Sequence, residues 1–342
     1  MKYALYVLKF DTPVHFGCAE DGGKLEQSTL TYRADSLFSA ICCELANQGN
    51  DQGLDNLYHA VATDQLVFSD LFPYFDELGK EKPSEDQGLH LYVPKPIVTV
   101  ERNTSQDYTD YREFRKQAVL RKKQKKLQYI RASKVEAFMQ SLRKGTAFEA
   151  DDDVIRNDQL VTRVNCTADV PRPYYVHHVE FSDHAGLYGI IGYEDDKLRD
   201  WLLKNLSLLG LSGIGGKRSS GYGKFHFEQE TIELDARGIY ADDSALYRLL
   251  TQPEATTYMC LSALLPAADE IPMIKAGQYS LCRRSGFLTP DGSPMKKRQE
   301  VYMIQAGSCF SDKVRGTICD VGRASAHPVW RYGKGLYAGL IV

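Results

Sequence analysis

Hydrophobic and polar positions alternate along this chain with periods that change from segment to segment. Tyr3 to Phe10 is an almost unbroken apolar and aromatic run, the pattern of a strand covered on both faces. In RADSLFSAICCELANQG, Leu37, Phe38, Ile41, Cys42 and Leu45 recur at helical spacing; Asp35 stands where an N-cap belongs and Gly49 follows the end. Further on, YYVHHVEF and GLYGIIGY flank SDHA and predict a hairpin. DDKLRDWLLKNLSLLG then aligns Leu198, Trp201, Leu202, Leu206 and Leu209 on one stripe, with acids at its start and Gly210 at its end. A glycine-rich loop follows, and KFHFEQETIEL alternates as a strand.

Strand, helix, two strands, helix, strand is the order of a ferredoxin-like (RRM-like) α+β domain. It predicts a first domain over residues 1–235, with a long insertion at about 51–172 between the first helix and the second strand. Residues 236–342 read as a second, strand-rich ferredoxin-like domain, from TTYMCLSALL, QYSLCRRSGFL, RQEVYMIQAGSCF, RGTICDVG and GLYAGLIV. No internal repeat is strong enough to prove duplication.

Composition narrows the class without naming a function. A chain of 342 residues, 43% hydrophobic and 25% charged, is globular and large enough for two domains. Its formal charge of -3 excludes a uniformly basic surface, so a polyanion site requires local clustering. Such a cluster exists: Arg102 to Lys144 holds thirteen Lys or Arg against four acids, much of it in the helical pattern REFRKQAVLRKKQKKLQYI. A solvated helix face and a polyanion-facing surface both explain it. The acidic run Asp151 to Asp153 reads as a solvated loop. The eight cysteines, Cys18, Cys42, Cys43, Cys166, Cys260, Cys282, Cys309 and Cys319, form no C-x-x-C pair and read as reduced, packed thiols. No signal-type or membrane-spanning stretch is present, so a cytoplasmic location and no membrane partner are expected.

The chemistry concentrates in GLSGIGGKRSSGYGKF, Gly210 to Phe225, with six glycines and three cations in sixteen residues. It is not a Walker A loop: Lys217 is followed by Arg218, and the loop leaves a helix C-terminus, whose dipole disfavours phosphate. A dinucleotide fingerprint fails for the same reason. Two readings remain: a tight helix-to-strand connection, or a backbone that approaches a polyanion closely, with Lys217, Arg218 and Lys224 for phosphates and Ser219 and Ser220 as donors. CRRSGF (282–287) and QAGSCF (305–310) repeat the small, basic and aromatic mix, and the three loops are expected to converge on one polyanion. Phe287 and Phe310 beside them read as core first and as base-stacking platforms second.

GIGGKRSSGYGKF after an amphipathic helix resembles the signature of the RAMP superfamily of CRISPR proteins. Together with MKYALYVLKFDTPVHFG, YRADSLFSAI, YVPKPI, RRSGF, YMIQAGSCF and VWRYGKGLYAGL it resembles the Cas5-like, Csm-type subunit, the fourth of its kind, of the type III-A effector complex. The resemblance implies a non-catalytic RNA-binding subunit in antiviral defence that needs no cofactor or metal. It implies three partners: the 5′ repeat-derived tag of the CRISPR RNA, the large polymerase-nuclease subunit, and the backbone RAMP subunit whose filament it caps.

Carried onto this chain, the resemblance assigns RNA contacts to the glycine loop (Gly215, Gly216, Lys217, Arg218, Ser219, Ser220, Gly221) and to Arg283, Arg284, Ser285, Gly286 and Phe287. Ala306, Gly307 and Ser308 would offer backbone N–H groups. His15 and Phe16 match the family's HFG entry segment, and Arg163 and Asn165 its thumb region. Lys95, held extended between two prolines, faces RNA, a subunit or solvent. Asp35 is a helix cap rather than a catalytic carboxylate. Two alternatives stay open: an endoribonuclease that processes precursor CRISPR RNA, for which His15, His177 and His178 are the candidate acid–base groups, and the equivalent Cmr-type (III-B) subunit. A nucleotide-dependent enzyme lacks both phosphate-loop order and a carboxylate cluster for metal.

Overall fold

A computed structural model describes residues 1–17, 24–77, 88–100, 110–166, 170–229, 231–288, 296–322 and 327–342. In chain order the elements are β1 (Lys2–Phe10), α1 (Ala34–Asn47), α2 (Asp51–Ala62), β2 (Leu66–Phe68), β3 (Phe72–Asp76), β4 (Leu89–Pro94), α3 (Tyr111–Lys126) and β5 (Tyr129–Arg131). Then come α4 (Val135–Lys144), β6 (Arg156–Asn165), β7 (Arg172–Phe181), β8 (Ala185–Tyr193), α5 (Asp196–Ser212), β9 (Phe225–Phe227) and β10 (Ile232–Glu233). The remainder is α6 (Ala241–Thr251), β11 (Thr257–Cys260), α7 (Ile271–Ile274), β12 (Leu281–Arg284), β13 (Val301–Ile304), β14 (Cys309–Phe310), β15 (Cys319–Asp320), β16 (Trp330–Arg331) and β17 (Tyr337–Leu340). The fold is mixed α and β, with antiparallel strand pairs.

The main sheet runs β10-β1-β8-β3-β4-β5, with β9 also on β1 and β2 also on β8. Because successive side chains of a strand point to opposite faces, the apolar run of β1 serves two cores. Ala4, Tyr6 and Leu8 pack under α1, α2 and α5 with Phe38, Ile41, Val61 and Leu206. Leu5 and Val7 pack on the other side with Phe138 of α4, Leu246 of α6, and Met259 and Ala338 of β11 and β17. The second core therefore joins the two halves of the chain.

Two topological expectations change. β7 pairs with β6 along ten residues, Arg156↔Phe181 to Asn165↔Arg172, rather than with β8. β8 takes β1 on one side and β2 and β3 on the other. The stretch read as an insertion thus supplies β2 to β5 of the main sheet. Its strands are short and wholly or almost wholly buried, so they carry no two-period signal that separates them from other apolar runs.

Three local expectations change as well. Asp35 does not cap α1: the N-cap is Arg33, and the Ala34 amide donates to the distant Asp70 Oδ1 at 2.8 Å. The acidic run is not a solvated loop. Asp153 accepts from Tyr92 Oη (2.8 Å) and contacts His90 Nδ1 (2.6 Å), and Asp151 pairs with Lys134 (2.5 Å). α5 passes Gly210 and ends at Gly213. The seven described cysteines are free thiols, and Cys18 lies outside the described residues. No helix among the described residues is long and apolar enough to cross a membrane.

Candidate nucleic-acid interface

The glycine loop leaves α5 and is fixed from below. Gly216 N donates to His15 O (2.8 Å), Gly223 N to Pro13 O (2.9 Å) and Ile214 N to Gly223 O (2.9 Å). At Gly215 (φ +89°) a Cβ would stand 2.7 Å from His15 O and from the Phe16 ring; at Gly223 (φ +76°) it would stand 2.0 Å from Ile214 O. Only glycine fits both the left-handed backbone and the approach. His15 and Phe16, each 3% exposed, are the bed on which the loop lies rather than part of its face. The His15 Nδ1 lies 2.7 Å from His177 O, and the Phe16 ring packs on Tyr32.

The outer face is different. Lys217 takes the left-handed conformation (φ 60°) and leads into a short 3-10 turn, Arg218–Ser220, all of whose residues are exposed. The amides of Lys217, Arg218 and Ser219 have no acceptor among the described residues. A left-handed residue followed by right-handed ones turns such amides into one concavity, a geometry that receives anions. The Lys217 ammonium lies 4.7 Å from the centre of the Tyr174 ring on β7. Arg163 of β6 donates to Tyr222 Oη at 3.2 Å, and His178 Nδ1 reaches the same hydroxyl at 3.2 Å. The β6–β7 ribbon is thereby joined to the loop, with Arg163 and Asn165 exposed on it. Burial lowers the pKa of His178, which keeps the imidazole neutral against the pull of Glu180.

Convergence of three loops is only partly observed. An open cavity of about 250 Å³ is lined by Gly215 and Arg218 of the glycine loop and by Arg284, Ser285, Gly286 and Phe287 of the second half. Ala306, Gly307 and Ser308 belong elsewhere: Ile97 N donates to Gly307 O (2.8 Å), beside Lys95, whose Nζ donates to Lys125 O (3.1 Å). For Gly307 and Ser308 the expected role changes too. Gly307 N donates to Cys260 O (2.7 Å), Ser308 N to Gln305 O (3.3 Å), and the buried Ser308 hydroxyl to Gln305 O (2.7 Å). A turn that ties β13 to β11 has spent these donors internally.

Arg284 is likewise not at the surface. At 8% exposure it grips Asp35 through Nε (2.9 Å) and Nη2 (3.0 Å), and Nη2 also meets Ser36 Oγ (2.6 Å). Arg331 Nη1 completes the group on Asp35 at 2.5 Å. Burial alone would raise the Asp35 pKa, but the two guanidinium groups outweigh it and hold it down to about 2. Arg283 is half-buried on β12. Phe310 is core, 1% exposed, whereas Phe287 is 57% exposed at the cavity's mouth.

Sequence reasoning missed Ser36, Ser39, Arg298 and Arg331, all of which line the cavity. Arg331 lies within VWRYGKGLYAGL and Arg298 in the basic run KKR, so both carried a compositional signal but no positional one.

The CRISPR Csm4 C-terminal domain family model matches residues 253–340. Over its full length the chain is 30% identical to the CRISPR system protein Csm4 of Streptococcus thermophilus, covering 100% of both. It is 31% identical to Csm4 of Mycobacterium tuberculosis (strain H37Rv), across 99% of this chain and 98% of that one. Among solved structures, the Csm3-Csm4 subcomplex in the type III-A CRISPR-Cas interference complex matches with a TM-score of 0.59 at 16% identity, covering 100% of both chains. The Csm1-Csm4 cassette in complex with cA4 matches with a TM-score of 0.58 at 16% identity, over 99% of this chain and 98% of that one. With its identity to curated relatives along the whole chain, its match to the C-terminal domain model over residues 253–340 and its shared architecture, the chain belongs to the Csm4 family of CRISPR proteins.

Proposed function

We propose that this chain is the non-catalytic subunit of a type III-A Csm complex that holds the 5′ tag of the CRISPR RNA on its glycine loop. In this role it caps the backbone built of Csm3-type subunits, docks the Csm1-type polymerase-nuclease subunit, and works in the cytoplasm in antiviral defence. The observation that carries it is the division of the loop: an underside bonded to His15 and Pro13, and an outer face whose Lys217–Ser219 amides and Arg218 have no protein acceptor among the described residues. A single strand splayed over such a surface is held through its phosphates. The names of the relatives and the pairing of Csm4 with Csm1 and Csm3 in the similar structures favour this assembly over a III-B complex.

The fold supports the same role. β1, β8 and β9, with α1 and α5 on one face, fit the ferredoxin-like plan of a first domain; its bounds at 1–235 and a second such domain over 236–342 are part of the same proposal. Lys217→Ala combined with Arg218→Ala is expected to weaken tag retention in an otherwise assembled complex, read by the RNA that co-purifies. Undiminished retention with intact assembly overturns the proposal. Each lost phosphate contact should lower the salt slope by roughly 0.7 for a single strand.

One observation bears on the endoribonuclease alternative: His15, His177 and His178 do come close together beneath the loop. Their bonds run to protein groups, His15 to the His177 carbonyl, His177 to Asp158 and His178 to Tyr222. Incubation with repeat RNA without metal is expected to give no cleavage; discrete products that vanish in His15→Ala would establish the enzyme instead.

A further inference from the structure

The cavity between the glycine loop and the second half is short of negative charge. Four guanidinium groups line it, Arg218, Arg284, Arg298 and Arg331, and the carboxylate that pairs with Arg284 and Arg331 is Asp35. Among the described residues Arg298 bonds only to neutral acceptors, Nε to Phe287 O (3.0 Å) and Nη1 to Ser39 Oγ (3.1 Å). Arg331 is 3% exposed and bonded to Asp35 through Nη1; its Nε and Nη2 have no partner among the described residues. Those two nitrogens form one edge of the planar guanidinium, the fork that matches two oxygens of a phosphate. A buried donor left unmet costs the full desolvation of that group, and a guanidinium without a counter-charge costs more. Burial and the nearby Arg331 both lower the pKa of Arg298, the mark of a cation with too little compensation. An oxyanion would satisfy both groups at once.

We propose that this cavity takes one phosphodiester group of the bound single strand, held by Arg298 and Arg218, with Arg331 in the lining beside them. The proposal rests on the RNA-binding reading above and sharpens it: one phosphate is gripped from both halves of the chain, by residues far apart in sequence. The exposed Phe287 at the rim lies where the adjoining base would stack. Gly286 beside it has open space where a Cβ would stand, which leaves room for a sugar.

The test uses the full chain and a labelled tag-sequence oligoribonucleotide, read by fluorescence anisotropy, with thermal melting as the check on folding. Arg298→Gln is expected to lower affinity about tenfold and the salt slope by about 0.7, with melting unchanged. Arg331→Lys, which keeps the charge and loses the fork, is expected to lower affinity to a similar degree; where it unfolds, Arg298→Gln carries the result. A scan of single methylphosphonate linkages should find one position whose neutralisation weakens binding, and that sensitivity should vanish in Arg298→Gln. Unchanged affinity of Arg298→Gln, while Lys217→Ala binds more weakly, overturns the pocket and leaves the RNA reading standing. No sensitive linkage, together with stabilisation of the fold by inorganic phosphate, assigns the cavity to a free phosphate and overturns the phosphodiester. A chain that does not bind the strand at all brings down both.

Discussion

Two basic loops of similar composition meet at one cavity and do different work. In the glycine loop Arg218 is exposed and has no carboxylate partner among the described residues; in CRRSGF, Arg284 is buried on Asp35. One cation is left for a ligand and the other is consumed in holding α1 to the second half. The difference teaches that a basic, small-residue composition does not say which cations stay open, since internal hydrogen bonds and ion pairs decide which groups remain without a protein partner. QAGSCF makes the same point more strongly, since the turn's Gly307 and Ser308 amides and its Ser308 hydroxyl are already satisfied.

The comparison predicts its largest effect at the buried member. Arg284→Ala is expected to cost about 3–5 kcal/mol of stability, because it strips one of two partners from a fully buried carboxylate; urea denaturation measures it. A cost as small as that of Arg218→Ala would erase the distinction between the two loops.

Backbone geometry sharpens the contrast next. Gly223→Ala is expected to cost about 1–3 kcal/mol, from a left-handed φ and a Cβ driven against Ile214 O. Gly221→Ala, where a Cβ meets nothing, should cost less, about 1 kcal/mol. Denaturation midpoints of the two variants compare them directly; equal losses would show that the loop is not pinned from below.

The seam also has a pH signature in two separate windows. The Asp35 carboxyl is held down from 3.8 to about 2, so its contribution is present above pH 4 and is lost as pH falls through about 2. Asp70 has the opposite sign. Burial raises its pKa to about 6 against the amides of Ala34 and Ala263, so the folded state loses stability as pH rises from about 4 through 6. Asp70→Asn keeps an oxygen at the position that accepts both amides and should flatten the stability profile in that upper window. Thermal melts across pH 4–7 check it, and an unchanged slope would count against the buried charge.

The smallest effect belongs to the exposed member. Arg218→Ala and Lys217→Ala are expected to change stability by no more than about 0.5 kcal/mol, while tag binding falls. Melting of the variants beside their RNA retention separates the two quantities.

Much of the frame was legible along the chain. The apolar run of β1, the stripes of α1 and α5 and the alternation into β9 are local patterns, set by side-chain periodicity, and the structure keeps each of them. The pairing of β7 with β6, and the entry of β2 to β5 into the main sheet, were not legible, because strand partners are chosen by contacts between residues distant in sequence. Asp35 shows the same limit at one residue. Its position suits a cap, yet a buried arginine pair 249 and 296 residues away claims it, and Asp70 caps the helix in its place.

By itself the sequence determined that a glycine-rich, cationic loop follows an amphipathic helix, and that this loop cannot be a nucleotide cradle, since helix polarity is fixed by chain direction. Only the tertiary structure decided which of its donors are spent. It laid His15 and Phe16 beneath the loop, buried Arg284, tied the QAGSCF turn to β11, and brought Arg298 and Arg331 to the side of Arg218. The reason is physical: a residue's chemistry is intrinsic, but its availability depends on burial and partners, which are properties of the folded chain.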